Sequence, residues 1–176
     1  MIAPMATKLR DLYDVDFYAW TQQQAKALRT HFKGDNRLDV EHLAEEIEDL
    51  GASERKALES QVVNIMAHLL KLDYSSLDWP RNHWRQEMLA FRNVLERRVT
   101  GSLKRLLIGK LDDLYATARE NAAAALIESE PGLIRRLPKD NPYDWAAIEN
   151  RHDLRALLAD QEAVGEAPKT RRKRKA

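Results

Sequence analysis

Histidine and carboxylate side chains recur at helical spacing between residues 42 and 49, the pattern in this chain that is best suited to chemistry. The residues, three or four positions apart, are His42, Glu45, Glu46 and Asp49. At 100° per residue, His42, Glu46 and Asp49 lie within about 60° of one another on a helix, with Glu45 just outside. Such a set can share a metal ion, as glutamate and histidine pairs do in di-iron helical bundles. The four residues are therefore candidate metal ligands.

The apolar residues of the same segment favour a different interpretation. They form a stripe on the opposite side of the helix and are Val40, Leu43, Ile47 and Leu50. In a simple bundle this stripe turns inward, so we expect the acidic side to face water and its carboxylates to pair with Arg55 or Lys56. A metal site and an acidic face that binds a partner are the alternatives, and both require the helix to be buried on two sides.

His68 is a fifth candidate ligand, on the flank of another apolar stripe. Asn64 and Gln61 precede it by about one and two helical turns. A histidine at the boundary of an apolar face, with an amide neighbour, is typical of a structural residue, so ligation by His68 is the alternative interpretation.

Several kinds of active site find no counterpart in the sequence. The chain has no cysteine, which excludes disulfides, thiolate nucleophiles and cysteine-based metal sites. It contains no Gly-x-Ser-x-Gly nucleophile elbow and no glycine-rich phosphate loop. We therefore predict no catalytic residue and no cofactor.

The charge of the chain is unevenly distributed. The basic residues near the end are Lys169, Arg171, Arg172, Lys173, Arg174 and Lys175. The rest of the chain carries 23 basic and 28 acidic residues, a net charge of −5. A basic run of this kind contacts nucleic-acid phosphates weakly and without reading bases. The favoured interpretation of this tail is a solubilising or accidental extension. Contact with nucleic-acid phosphates, with anionic lipid, or with a partner or the protein's own acidic face are the alternatives.

Apolar periodicity predicts an all-α protein, a single-domain antiparallel bundle of about five main helices with short C-terminal helices. We expect helices that begin after Asp14 or Asp16, after Asp39, after Ser53, near Pro80 and after Ser102. Gly51 is predicted to end the second helix, and the fifth is predicted to be the longest, with an alanine-rich face.

The predicted organisation has three parts. Residues 1–13 are a flexible N-terminal arm, residues 14–160 are the helical domain, and residues 161–176 are a disordered basic tail. No apolar run is long enough to span a membrane, and the first residues lack the apolar core of a secretory signal, so we expect a cytoplasmic protein.

Several segments of the chain form a recognisable set. The most specific is Glu45-Glu-Ile-Glu-Asp-Leu-Gly51 placed before Ser53-Glu-Arg55. Others are Leu12-Tyr-Asp-Val-Asp-Phe-Tyr-Ala-Trp20, His68-Leu-Leu-Lys-Leu72 and Pro142-Tyr143. Together they resemble the bacterial family catalogued as domain of unknown function 29. The resemblance covers roughly residues 11–150 and implies an all-helical bacterial domain, without implying an activity, a cofactor or a binding residue.

The sequence favours a non-catalytic module that binds another protein, including a second copy of itself. Two alternatives remain open: a metal-dependent, hydrolase-like helical bundle, and non-specific nucleic-acid contact through the basic tail. Trp79, in the loop before Pro80, is a further candidate for an interface because exposed tryptophans often anchor interfaces.

Overall fold

The computed structural model describes residues 11–32, 34 and 37–150. Within these residues a helical turn at 11–15 is followed by seven helices, and no strand occurs. They are α1 (Phe17–His31), α2 (Val40–Tyr74), α3 (Arg81–Arg98), α4 (Gly101–Ile108), α5 (Leu111–Ala125), α6 (Leu133–Arg136) and α7 (Trp145–Glu149). The prediction of an all-α fold is confirmed.

The 35-residue helix α2 is the central element of the fold. α1 packs against its N-terminal half, while α3 and α5 pack against the remainder. The C-terminal half of α2 is apolar on most of its surface because it is covered from several sides. Its fully buried residues are Leu58, Val62, Ile65, Met66 and Leu70.

The predicted end of a helix at Gly51 is wrong, as is the predicted start after Ser53. α2 continues without interruption through both residues. Among the glycines in the described ranges, only Gly34 has a positive φ, so Gly51 does not adopt the left-handed conformation that ends helices. Gly51 is buried instead, at a close approach of α1 to α2.

The predicted long fifth helix is also wrong, because it is two helices. α4 ends at Ile108 and α5 begins at Leu111, with a turn at Gly109 and Lys110 between them. The alanine face predicted for this region lies on α5, where Ala118 and Ala122 are fully buried. α5 packs against α2, so this part of the small-residue face is used within the domain.

α1 and the N-terminal half of α2 form an antiparallel pair, which we call the α1–α2 hairpin (residues 17–54). Its buried apolar residues are few and small: Ala25, Val40 and Ala44. None of them belongs to the main hydrophobic core, which begins at Leu58. The hairpin therefore has a thin core of its own beside a well-packed body.

Aspartates begin three of the helices, and two of these starts, at Asp16 and Asp39, were predicted. The side chain of Asp39 accepts a hydrogen bond from His42 N, and that of Asp144 accepts one from Ala147 N. Asp16 accepts from Ala19 N in α1 and also from the backbone N and Oγ of Ser102, at the start of α4. One carboxylate therefore joins two helices that are far apart in sequence.

The segment after α5 is held to the body by buried polar groups. Arg92 of α3 donates to the carbonyl oxygens of Ala147 and Ile148, both at 2.9 Å. Trp145 and Ile148 are buried against the body and dock this segment onto it. The predicted continuation of this helical region to residue 160 lies outside the described residues.

Two of the predicted parts are described only partly or not at all. Residues 1–10 of the predicted N-terminal arm and the whole of the predicted basic tail lie outside the described residues, so these divisions remain predictions. Residues 11–13 belong to the helical turn before α1. In the described part of the chain, no helix combines the length and apolarity needed to cross a bilayer.

Candidate functional site

The four predicted ligands on the hairpin lie at its surface. All of them are exposed: His42, Glu45, Glu46 and Asp49. His42 Nδ1 lies 2.6 Å from Oδ2 of Asp39, the residue that begins α2. This hydrogen bond and the charges of Asp39, Glu45 and Glu46 raise the pKa of His42 above its usual value. This side of α2 therefore faces water, as predicted.

The ion pairs of this region differ from those predicted. The acids of the hairpin pair with α1, where Arg29 contacts Glu41 at 3.2 Å and Glu48 at 2.5 Å. Arg55, the predicted partner, pairs instead with Glu59 one turn further along α2, at 2.8 Å. These carboxylates therefore join the two helices of the hairpin rather than neighbouring turns of one helix.

The fifth predicted ligand does not join the other four. His42 and His68 lie on the same continuous helix, 26 residues apart, which corresponds to about 39 Å at 1.5 Å per residue. Across the described ranges, no group of three or more histidine, aspartate or glutamate side chains has a geometry that could hold a metal ion.

His68 is instead the centre of a partly buried polar cluster between α2 and α3. Its Nδ1 lies 2.7 Å from the carbonyl oxygen of Asn64. Its Nε2 lies 2.9 Å from Glu87 Oε2 and 3.1 Å from Lys71 Nζ. Glu87 also lies 3.4 Å from Nε2 of His83, one turn earlier in α3. The cluster therefore combines two histidines, a lysine and one carboxylate.

The geometry of this cluster restricts where its protons lie. A carbonyl oxygen accepts but does not donate, so Nδ1 of His68 carries a proton. Nε2 then either donates to Glu87 or accepts from Lys71, and it cannot do both at once.

Lys71 is unusually situated for a lysine. It is 7% exposed, and its nearest cation–π partner is the ring of Trp84 at 5.2 Å. Burial lowers the pKa of Lys71, and attraction to Glu87 only partly opposes this. The apolar run around Lys71 in the sequence was the available signal for a buried lysine. Glu87 offered none, because it lies on the next helix and only tertiary packing brings it to His68.

A second feature is an apolar surface on one flank of the hairpin. The predicted inward orientation of Leu43 and Leu50 is wrong: they are 42% and 56% exposed. The face that α1 covers is the neighbouring one, which contains Val40, Ala44 and Gly51. At 100° per residue Leu43, Ile47 and Leu50 lie within about 60° of one another, so they form one strip.

The strip continues onto α1. In an antiparallel pair, the positions of α1 on the same flank are Trp20, Gln24, Ala27 and His31, again within about 60°. The ion pairs of Arg29 with Glu41 and Glu48 mark the opposite flank. We call the surface formed by Trp20, Ala27, Leu43, Ile47 and Leu50 the apolar hairpin face. One flank of the hairpin is thus charged and the other apolar.

Exposed apolar side chains are concentrated in this part of the molecule. Nine large apolar residues are exposed within the described ranges, and six of them lie between residues 13 and 50. Those six are Tyr13, Val15, Phe32, Leu38, Leu43 and Leu50. Trp79, singled out from the sequence, is 83% exposed but lies elsewhere, in the loop before α3.

The fold and its surfaces define an all-α protein with a well-packed body and a two-helix extension that is apolar on one flank. A family model described as "Domain of unknown function DUF29" matches residues 12–154, and the chain belongs to this family. The resemblance noted in the sequence is therefore confirmed.

A solved structure has a similar fold. It is a crystal structure of an alpha-helical protein of unknown function from Rhodospirillum rubrum, with 28% sequence identity and a TM-score of 0.63. The similarity covers 84% of this chain and 96% of that chain. Among curated proteins, none matches this chain.

Proposed function

We propose that this protein is an interaction module, and that the apolar hairpin face binds a helix of another protein molecule. The observation that carries the proposal is the strip formed by Leu43, Ile47 and Leu50, whose two leucines are each about half exposed. Apolar surface of this kind on a two-helix layer is stabilised by a further layer packed against it. Helices are suited to this role because an amphipathic helix packs its apolar side into such a face.

The energetics support a specific contact. Complete burial of a leucine or isoleucine side chain contributes about 1.5–3 kcal/mol, so covering the exposed halves of the strip contributes a few kcal/mol. The thin core of the hairpin, formed by Ala25, Val40 and Ala44, provides a further reason. A pair of helices that buries little apolar surface between them is only marginally stable by itself.

The test compares a variant of the face with a matched variant of the body. Tagged wild-type protein, L43D/L50D and I127D are used to isolate partners from the source organism, and each partner is then titrated against the purified variants. Ile127 is the control because it is 64% exposed and lies after α5, away from the hairpin. We expect binding to weaken at least about tenfold in L43D/L50D, a loss of about 1.4 kcal/mol. Binding should be unchanged in I127D. Equal binding by all three proteins would contradict the proposal.

The two alternatives from the sequence remain predictions. A metal-dependent function of His42, Glu45, Glu46 or Asp49 predicts stoichiometric metal in protein purified without chelator. Nucleic-acid contact by residues 169–175 predicts binding that weakens steeply with salt and is lost when residues 169–176 are deleted. Cytoplasmic location also remains a prediction, in keeping with a chain that has no cysteine.

A further inference from the structure

The side of α2 that carries the exposed strip is covered by α3 further along the helix. His68 Nε2 lies 2.9 Å from Glu87 Oε2 in the first half of α3, and Glu54 is bound to Arg98, its last residue. At 100° per residue, His68 and Glu54 lie on the same side of α2 as the strip, within about 60°. Because α3 ends at Arg98, this side of α2 is covered up to Glu54 and is open from Leu50 onward.

The described chain ends beside this boundary. Arg92 of α3 donates to the carbonyl oxygen of Ile148, and Ile148 lines a small cavity together with Leu95 and Val99. Leu95 lies in the last turn of α3 and Val99 directly after it. Asn150, two residues beyond Ile148, is the last described residue. The chain therefore continues into residue 151 from the place where α3 stops covering α2.

The ten residues after Asn150, which we call the C-terminal segment (residues 151–160), have the apolar pattern of a short amphipathic helix. Leu154, Leu157 and Leu158 are three and four positions apart, which places them within about 100° on a helix. The charged residues of the segment lie outside that arc, and they are Arg151, Asp153, Arg155 and Asp160. A helix this short is not stable in isolation, so its apolar side requires a surface to pack against.

The reach and length of the C-terminal segment fit the strip. Leu154 follows Asn150 by four residues, at most about 14 Å in an extended chain. Ten helical residues are about 15 Å long, and the strip from Leu43 to Leu50 is about 10 Å long. A tether of a few residues gives the segment an effective concentration in the millimolar range. The segment is therefore favoured at this surface over a separate molecule of equal intrinsic affinity.

We propose that the C-terminal segment packs as a helix on the apolar hairpin face of its own chain, with Leu154 near Leu50, and that a partner helix has to displace it. This inference rests on the proposed function, because it names what regulates access to the same face. α3 runs antiparallel to α2, and the segment continues in the direction of α3. It thereby extends over the hairpin the layer that α3 forms over the rest of α2.

The first test is an intramolecular disulfide, for which the cysteine-free chain provides a clean background. L50C/L154C in the full chain should form a disulfide under mild oxidation, since a bridge requires Cα atoms about 4.4–6.8 Å apart. The oxidised product should have the mass of a single chain. L50C/A159C is the matched control and should remain mostly reduced, because Ala159 lies on the opposite side of the predicted helix.

The second test measures exposed apolar surface with the dye anilinonaphthalene sulfonate. L154D/L157D in the full chain should raise the dye fluorescence at least about twofold over wild type, because the dye binds apolar surface that the segment no longer covers. Adding L43D/L50D to that variant should remove the increase, which locates it at the hairpin. A159D is the control and should match wild type. A cooperative thermal transition establishes that each variant is folded.

The outcomes of these tests separate this inference from the proposed function. Absence of the disulfide in L50C/L154C, or unchanged dye fluorescence in L154D/L157D, would overturn the inference. Disulfides that join two chains would identify a second copy as the occupant and would overturn it as well. An equal rise in A159D would show that added charge, and not loss of the leucines, causes the effect, with the same consequence.

Partner binding then decides between the two proposals. If the segment is not docked and L43D/L50D still loses its partner, the proposed function stands and only this inference fails. If the segment is docked and L43D/L50D binds the partner as wild type does, the docking stands and the proposed function fails. When both hold, L154D/L157D should bind the partner at least about tenfold more tightly than wild type, because the face is open in a larger fraction of molecules. Equal affinity would refute displacement.

Discussion

Gly51 of α2 lies so close to Thr21 of α1 that a Cβ atom at position 51 would be 2.1 Å from Oγ1 of the threonine. Thr21 is fully buried, and its hydroxyl donates to the carbonyl oxygen of Tyr18 at 2.8 Å. A glycine within a helix costs about 1 kcal/mol relative to alanine, and here the close approach of the two helices offsets that cost. This contact sets how α1 lies on α2, and therefore which flank of the hairpin is apolar.

The variant Gly51→Ala should lose about 1–3 kcal/mol of stability, because its methyl group overpacks the contact with Thr21. Urea denaturation followed by circular dichroism measures the loss. Gly101→Ala is the matched control: it lies at the start of α4, and no atom would approach its Cβ within 4 Å. Gly101→Ala should be neutral or slightly stabilising. Equal effects of the two substitutions would contradict the packing role of Gly51.

The same glycine shows the limit of prediction from sequence. Gly51 followed by Ser53, Glu54 and Arg55 contains the local signals for the end of one helix and the start of the next. Only a tertiary contact, with Thr21 some 30 residues earlier in the chain, makes a glycine within a helix favourable. The inward orientation assigned to Leu43 and Leu50 failed for the same reason, because it assumed that α1 would cover their side of the helix.

Features determined by local chemistry were predictable. Periodicity identified the all-α fold, and the caps at Asp16 and Asp39 followed from residue type and position. His68 was correctly placed at the edge of a buried face. Its contact with Glu87 was not predictable, because the two residues lie 19 positions apart on different helices.

The variant Asp16→Ala should destabilise the protein by about 1–2 kcal/mol, the usual cost of losing a helix cap. Burial opposes ionisation of Asp16, but hydrogen bonds from Ser102 and Ala19 outweigh it and lower its pKa. Asp14→Ala is the control, since Asp14 is exposed and lies only two residues before Asp16. Thermal unfolding of both variants provides the measurement. If Asp14→Ala proves as damaging as Asp16→Ala, the link from α1 to α4 is not what stabilises this region.

Glu130 should make stability depend on pH in the acid range. Its carboxylate is buried, but hydrogen bonds from Ser75, Ser76 and Arg136 outweigh the effect of burial and lower its pKa to about 2. The unfolded chain therefore takes up a proton at a higher pH than the folded chain does. The contribution of the Glu130 carboxylate to the free energy of unfolding is fully present above pH 4.5 and is lost as pH falls toward about 2.

The variant Glu130→Gln should remove that part of the acid sensitivity and cost about 1–3 kcal/mol at neutral pH, the range for hydrogen bonds to a charged group. Urea midpoints measured from pH 7 to about pH 3 test both statements, within the window that the depressed pKa defines. Glu128→Gln is the control, because Glu128 is exposed in the same segment. Parallel pH curves for wild type and Glu130→Gln would show that the carboxylate does not carry the dependence.

Lys71→Met should stabilise the protein at pH 7 by about 1 kcal/mol, because methionine fills a similar volume without a buried charge. Burial lowers the pKa of Lys71 below 10.5, so in the alkaline range the unfolded chain binds a proton that the folded chain does not. The free energy of unfolding of the wild type therefore rises with pH toward 10.5, and the advantage of Lys71→Met over the wild type should narrow. Thermal unfolding of both proteins across this pH range measures that difference. Lys56→Met, at an exposed position of α2, should change little at any pH. A large loss of stability in Lys71→Met would mean that His68 and Glu87 require the ammonium group.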